Sequence, residues 1–102
     1  MNRREFEEHV RRALDSLPPR LAAELENVAV LVEEYHPDDP DLFGLWESHE
    51  FLPDKITIFR KPLEQAFPDP EELEEEIRVT VLHELAHYFG IDEGRLEELG
   101  YD

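Results

Sequence analysis

Apolar residues recur at helical spacing over residues 2 to 17, with polar residues between them. The apolar positions are Phe6, Val10, Ala13, Leu14 and Leu17. Asn2 stands where an N-cap is needed, and Glu5 follows at the third helical position. The prolines at 18 and 19 stop the helix, because proline lacks the amide donor and disfavours helix in the residue before it. This segment predicts an amphipathic helix that packs on the rest of the chain.

Two later segments are rich in β-branched residues and predict strands. Residues 28 to 35 have apolar side chains on both faces, which predicts an inner strand of a sheet. Residues 55 to 60 predict a short strand, and the flanking Pro53 and Pro62 favour a position at the sheet edge. The basic Lys55, Arg60 and Lys61 would help to protect such an edge from unwanted pairing.

Residues 42 to 51 contain large apolar side chains but follow neither a helical nor a strand period. The simplest interpretation is a loop that covers an edge of the core. The alternative is a border of a cleft, with Trp46, Glu47 or His49 in contact with a substrate.

A long helix is predicted from Pro70 to Phe89. Asp69 is a suitable N-cap, proline is favoured at the first helical position, and acids in the first turn complement the helix dipole. Gly90 supplies the left-handed conformation that commonly ends a helix. From Ile77 onward apolar residues occupy nearly every side, which predicts burial. Together these elements predict an α+β fold: an N-terminal helix, a small twisted sheet with an edge strand, and a long C-terminal helix.

The composition narrows the possible functions. A chain of 102 residues predicts one domain over 1–102, and the absence of cysteine excludes disulfides and thiolate metal sites. A net charge of −17 repels nucleic-acid phosphates and anionic membranes, so neither is expected as a partner, although the same charge also suits a simple solvated surface. There is no long apolar run or signal peptide, so we expect a cytoplasmic protein. The sequence leaves the oligomeric state open.

The long helix carries the pattern HExxHxxGxxE, formed by His83, Glu84, His87, Gly90 and Glu93. Residues four apart lie on one helix face, so the two imidazoles can converge on one metal ion. The carboxylate after the first histidine then lies beside the open coordination position, where it can take a proton from water. In a random shuffle of the same residues, the number of chance occurrences of this longer pattern is on the order of 0.001 per sequence.

The sequence offers several candidates for the third metal ligand. A turn at Gly90 would bring Glu93 to the metal, and Asp92 is an alternative. The tail acids Glu97, Glu98 and Asp102 are further candidates. In the competing interpretation both histidines are core residues hydrogen-bonded to backbone and no metal is bound.

Residues 77 to 93, with Arg95-Leu96 and Glu98-Leu99-Gly100 after them, closely resemble the small bacterial zincin-like metallopeptidases of the minimal zincin fold. The upstream segments 43 to 47 and 52 to 63 resemble the same family. The resemblance implies a zinc ion on His83, His87 and an acid in the Gly90 turn. It also implies Glu84 as the general base for hydrolysis of a peptide or protein substrate.

The resemblance further implies that an edge strand above the metal helix pairs with an extended peptide. We assign this role to residues 55 to 60, with Thr57 and Ile58 as substrate-binding residues and Trp46 beside them. Tyr88 or Tyr101 is the candidate for stabilising the oxyanion, although Tyr88 also suits the core.

Two other functions remain open, and the sequence argues against a third. The spacing of His83, His87 and Glu93 also matches the H-x3-H-x5-H pattern of bacterial ribosomal-RNA maturation nucleases, but the acidic charge opposes RNA binding. A chain this small is also compatible with a non-catalytic zinc-binding or partner-binding module. An EF-hand-like spacing of acids begins at Asp39, but Phe43 occupies a coordinating position and excludes the pattern as a good calcium loop.

Overall fold

The computed structural model describes residues 1 to 90, and predictions for residues 91 to 102 lie outside that range. Helix α1 spans Arg3–Asp15 and is followed by the short helix α2 (Pro19–Ala23) and a 3-10 turn (Glu24–Asn27). Strands β1 (Val28–Glu33), β2 (Gly44–Glu47) and β3 (Asp54–Phe59) come next. Helices α3 (Arg60–Ala66) and α4 (Pro70–Phe89) complete the α+β fold that the sequence predicts.

Helix α1 forms as predicted. The Asn2 side chain accepts a hydrogen bond of 2.8 Å from the backbone N–H of Glu5, which satisfies one of the free amides of the first turn. The residues buried on its inner face are Phe6, Val10 and Ala13. The helix ends at Ser16, whose hydroxyl donates back to the carbonyl of Ala13.

Within residues 1 to 90 the sheet has three strands in the order β1-β3-β2. Strands β1 and β3 are parallel, from Val28 opposite Asp54 to Glu33 opposite Phe59. Strands β2 and β3 are antiparallel, from Gly44 opposite Ile58 to Glu47 opposite Lys55. β3 is therefore the central strand and has a hydrogen-bonded neighbour on each side.

This order corrects two predictions. Strand β3 was expected at the edge, but its prolines lie outside the ladder: Pro53 precedes the strand and Pro62 is in α3, so neither removes a sheet hydrogen bond. Strand β1 was expected inside, yet it lies at an edge with alternating burial, and Leu31 on its outer face is 41% exposed. Apolar residues on both faces of a strand do not by themselves establish a central position.

Helix α4 has the predicted bounds, from Pro70 at its first position to Phe89 before Gly90. Asp69 occupies the N-cap, although its side chain makes no capping hydrogen bond and its carbonyl accepts from the N–H of Leu73 at 2.9 Å. The helix packs against α1, β2 and β3. The core between them contains Phe6, Val10, Val32, Ile56, Ile58, Leu63, Ile77, Val81 and Leu85. Of the described helices, none has both the length and the apolar character needed to cross a membrane.

Candidate functional site

His83 and His87 lie one turn apart near the C-terminal end of α4, and their side chains face each other. Their ring centroids are 5.0 Å apart, with an angle of 74° between the ring planes. Two imidazoles bound to one zinc ion at about 2.0–2.1 Å in tetrahedral geometry have ring centroids roughly 5 Å apart. The two side chains therefore have a spacing that fits a shared metal ion.

Glu84 lies between these histidines in sequence and is buried, with 7% of its surface exposed. Its Oε2 atom has no hydrogen-bond partner among the described residues. Burial raises the pKa of the Glu84 carboxyl, and positive charge on His87 and His83 would act in the opposite direction. A buried carboxylate oxygen without a partner, next to two imidazoles, is chemically suited to a metal ion and to proton transfer.

Helix α4 ends at Gly90, three residues after His87. Gly90 has φ of 68° and ψ of 29°, and its N–H donates back to the carbonyls of Ala86 and His87. Among the described residues, nothing beyond the chain neighbours and the helix's own backbone lies within 4 Å of where a Cβ at position 90 would be, so it is the left-handed backbone that favours glycine here. This turn is the feature from which the sequence predicted a returning third ligand.

That ligand lies beyond the described part of the chain, as do Glu93, its alternatives Asp92, Glu97, Glu98 and Asp102, and the oxyanion candidate Tyr101. Within residues 1 to 90, no three His, Asp or Glu side chains are arranged to hold a metal ion. The donors that the structure describes at this end of α4 are therefore two imidazoles and the adjacent Glu84 carboxylate. Tyr88 is half-buried and packs against the core, with its ring in edge contact with Phe89.

Strand β2 begins directly above Glu84. A Cβ added to Gly44 would lie 2.9 Å from Cγ of Glu84 and 3.1 Å from Cγ2 of Thr80. The strand can approach α4 this closely because residue 44 has no side chain. The sequence pattern of residues 42 to 51 did not predict this strand. The feature that could have indicated it is a single glycine followed by several bulky residues.

The predicted substrate-binding residues Thr57 and Ile58 do not reach the site. They are 5% and 0% exposed, and each is paired with a residue on both neighbouring strands. A central strand has no free edge for a peptide, so the predicted edge-strand role of β3 is wrong.

The other predicted substrate contacts are Trp46, Glu47 and His49, and each lies in a different environment. The indole N–H of Trp46 donates to Asp54 Oδ2 at 3.1 Å, and its ring packs against the core. Glu47 forms an ion pair with Lys55 at 3.5 Å. His49 is exposed between β2 and β3. Trp46 thus stabilises the hairpin, and none of these three side chains lines the cleft described next.

A cleft of about 510 Å³ lies beside Glu84. Its walls come from the loop before β2, from Gly44, and from the face of α4 that includes His83 and Glu84. This volume falls in the range of sites that bind small molecules or peptide side chains. The buried Glu84 therefore forms part of the wall of this cleft.

Comparison with known proteins is consistent with this geometry. The model of the family described as zincin-like metallopeptidase matches residues 25–101. The matched region includes all three strands, α3 and α4, and leaves α1 outside. No curated protein sequence matches the chain significantly.

Proposed function

The chain belongs to the zincin-like metallopeptidase family, and on this premise we propose that it hydrolyses peptide bonds with zinc as cofactor and Glu84 as general base. One observation carries the proposal: Oε2 of buried Glu84 has no hydrogen-bond partner among the described residues, and Glu84 lies beside two imidazoles in the wall of a cleft. A non-catalytic zinc site would not need an acid in that position.

His83 and His87 would hold the metal, together with Glu93 as the proposed third ligand. When bound, zinc supplies Lewis acidity, which makes water a better nucleophile and polarises a carbonyl oxygen. Neutral imidazoles and a carboxylate are the donors found in catalytic zinc sites with an open position.

Glu84 would move the proton. Its Oε2 accepts a proton from the water that attacks the peptide carbonyl, and then delivers it to the leaving nitrogen. The raised pKa of this carboxyl favours holding the proton between the two transfers. The products are a carboxylate and a free amine.

Strand β2 replaces β3 as the proposed peptide-binding edge. The N–H of Phe59 donates to the carbonyl of Phe43 at 2.8 Å, which makes residues 43 and 59 a hydrogen-bonded pair. Such pairs alternate along an antiparallel ladder, so the backbone groups of Gly44 and Trp46 point away from β3. No described strand covers that side, and an extended peptide paired there would lie next to Glu84.

The decisive experiment compares the wild-type protein with Glu84→Gln. We expect both to contain about one zinc ion per chain, and the variant to hydrolyse a mixed peptide library roughly 10²-fold more slowly or worse. Equal rates would exclude Glu84 as the base. Loss of zinc from the variant would make Glu84 a ligand.

The same preparations distinguish the other functions. A zinc-loaded wild-type protein that leaves every peptide intact would support a non-catalytic module. Cleavage of structured RNA by the wild-type protein would support a nuclease, although the acidic cleft opposes phosphate binding.

A further inference from the structure

The cleft beside Glu84 continues along one face of α4 toward the start of the helix. Its acidic side chains are Asp39 and Asp41 from the loop before β2 and Glu76 from α4. Its apolar surface comes from Leu42, Phe43 and Val79. Glu76, Val79 and His83 are spaced three and four residues apart, so they lie along one side of the helix. The acids are therefore in the same groove as the proposed metal site.

The charge of this groove is not neutralised by the described residues. Neither Lys nor Arg is among the described residues that line it. The carboxylates of Asp41 and Glu76 form no hydrogen bond or ion pair with a described side chain, and Asp39 accepts only the backbone N–H of Asp41 at 3.3 Å.

Some acids elsewhere on the described surface are held by arginine: Glu8 by Arg11 at 2.6 Å, Glu34 by Arg60 at 2.9 Å and Glu75 by Arg78 at 2.7 Å. In the groove, buried Glu84 adds an oxygen, Oε2, that has no hydrogen-bond partner among the described residues. Like charges that line a cleft concentrate the negative potential there and attract a cation.

We infer that this groove selects peptides with a lysine or arginine side chain next to the bond that is cleaved. The inference rests on the proposed peptidase function and names its substrate class. The apolar wall formed by Leu42, Phe43 and Val79 would contact the methylene stem, while the acids meet the charged end. The volume of about 510 Å³ leaves room for the adjoining peptide backbone.

Binding to the zinc-loaded Glu84→Gln protein tests this inference without depending on turnover. Three peptides of one sequence carry lysine, norleucine or glutamate at the central position, and their affinities are measured by calorimetry. Norleucine keeps the stem of lysine and removes its charge. We expect the lysine peptide to bind about tenfold more tightly than the norleucine peptide, and the glutamate peptide to bind most weakly.

Matched variants locate the effect. Adding Asp41→Asn and Glu76→Gln should reduce the preference for lysine to about threefold or less, because two of the acids are neutralised. Adding Asp15→Asn and Glu72→Gln makes the same change in net charge at exposed positions outside the groove, and should retain the preference. Circular dichroism of both variants confirms that each is folded.

The outcomes separate the inference from the proposed function. Equal affinities for the lysine and norleucine peptides would overturn the inference alone, since peptide binding itself would remain. Failure of all three peptides to bind would overturn both. If the Asp15/Glu72 control loses the preference for lysine as much as the Asp41/Glu76 variant does, the preference arises from net charge. That result would overturn the role of the groove. Equal peptide affinities together with saturable Ca²⁺ binding that needs Asp41 and Glu76 would make the groove a cation site instead.

Discussion

Gly44 lies against Glu84 so closely that a Cβ on residue 44 would be 2.9 Å from Cγ of Glu84. Separations this short between a Cβ and another heavy atom do not persist in folded proteins, so either the strand or the carboxylate would have to move. The backbone of Gly44 does not have a positive φ, and the requirement for glycine here is one of space. The contact joins the proposed peptide-binding edge to the proposed base.

The first prediction follows from that contact. We expect Gly44→Ala to keep zinc, because His83 and His87 are unaffected, but to slow peptide hydrolysis about tenfold or more by displacing Glu84. Overpacking should also lower the free energy of unfolding by about 1–3 kcal/mol. Zinc content, hydrolysis rate and urea unfolding measure the three effects.

A second substitution tests whether overpacking causes the loss of stability. Thr80→Ala removes the other group near position 44 and should partly restore stability to Gly44→Ala, because Cγ2 is then absent. Full activity and unchanged stability in Gly44→Ala would show that the close approach has no importance.

The second prediction concerns metal content and pH. The purified protein should bind about one zinc ion per chain, with an affinity that weakens as the pH falls from about 7 to 5, because coordination requires a neutral imidazole. Elemental analysis and competition with a chromophoric chelator measure both quantities. A pH-independent affinity, or unchanged zinc in the double variant His83→Ala/His87→Ala, would contradict histidine ligation.

The third prediction concerns stability without metal. Burial raises the pKa of the Glu84 carboxyl in the folded state above its ordinary 4.5. The folded state therefore binds this proton more tightly than the unfolded state, so stability falls as the pH rises from about 4.5 through the raised pKa. Glu84→Gln lacks this loss and should melt at a higher temperature than the wild type at pH 7, with the difference shrinking toward pH 4.

Thermal unfolding in a chelator over this pH range provides the measurement. Glu72→Gln on the exposed first turn of the same helix is the matched control, since its side chain is not buried. A Glu84→Gln variant that is less stable than the wild type at neutral pH would show that the carboxylate is satisfied in the folded protein.

The fourth prediction tests the edge of β2. If a peptide pairs with the outward groups of Gly44 and Trp46, its own amides should be needed at alternate positions only. A series of substrate peptides carries one N-methyl group each, at successive positions. Their affinity for the Glu84→Gln protein should therefore fall at every second position of the N-methyl group. Each lost hydrogen bond should weaken binding by about fivefold to tenfold, which corresponds to roughly 1 kcal/mol. Uniform losses along the series would exclude strand pairing.

The sequence by itself determined the parts of this protein that depend on residues close together in the chain. The Asn2 cap, the apolar face of α1 and the span of α4 up to Gly90 were predicted correctly. The proximity of the His83 and His87 rings also follows from helix geometry, because side chains four residues apart share a face.

Only the tertiary structure decided how the strands are ordered and what covers the site. A short apolar segment has the same local pattern at the centre of a sheet and at its edge, so β1 and β3 were exchanged in the prediction. Burial of Thr57 arises from neighbours that are distant in sequence. The approach of Gly44 to Glu84, and of the Asp39 and Asp41 loop to the same cleft, also joins segments about forty residues apart, and local periodicity carries no information about such contacts.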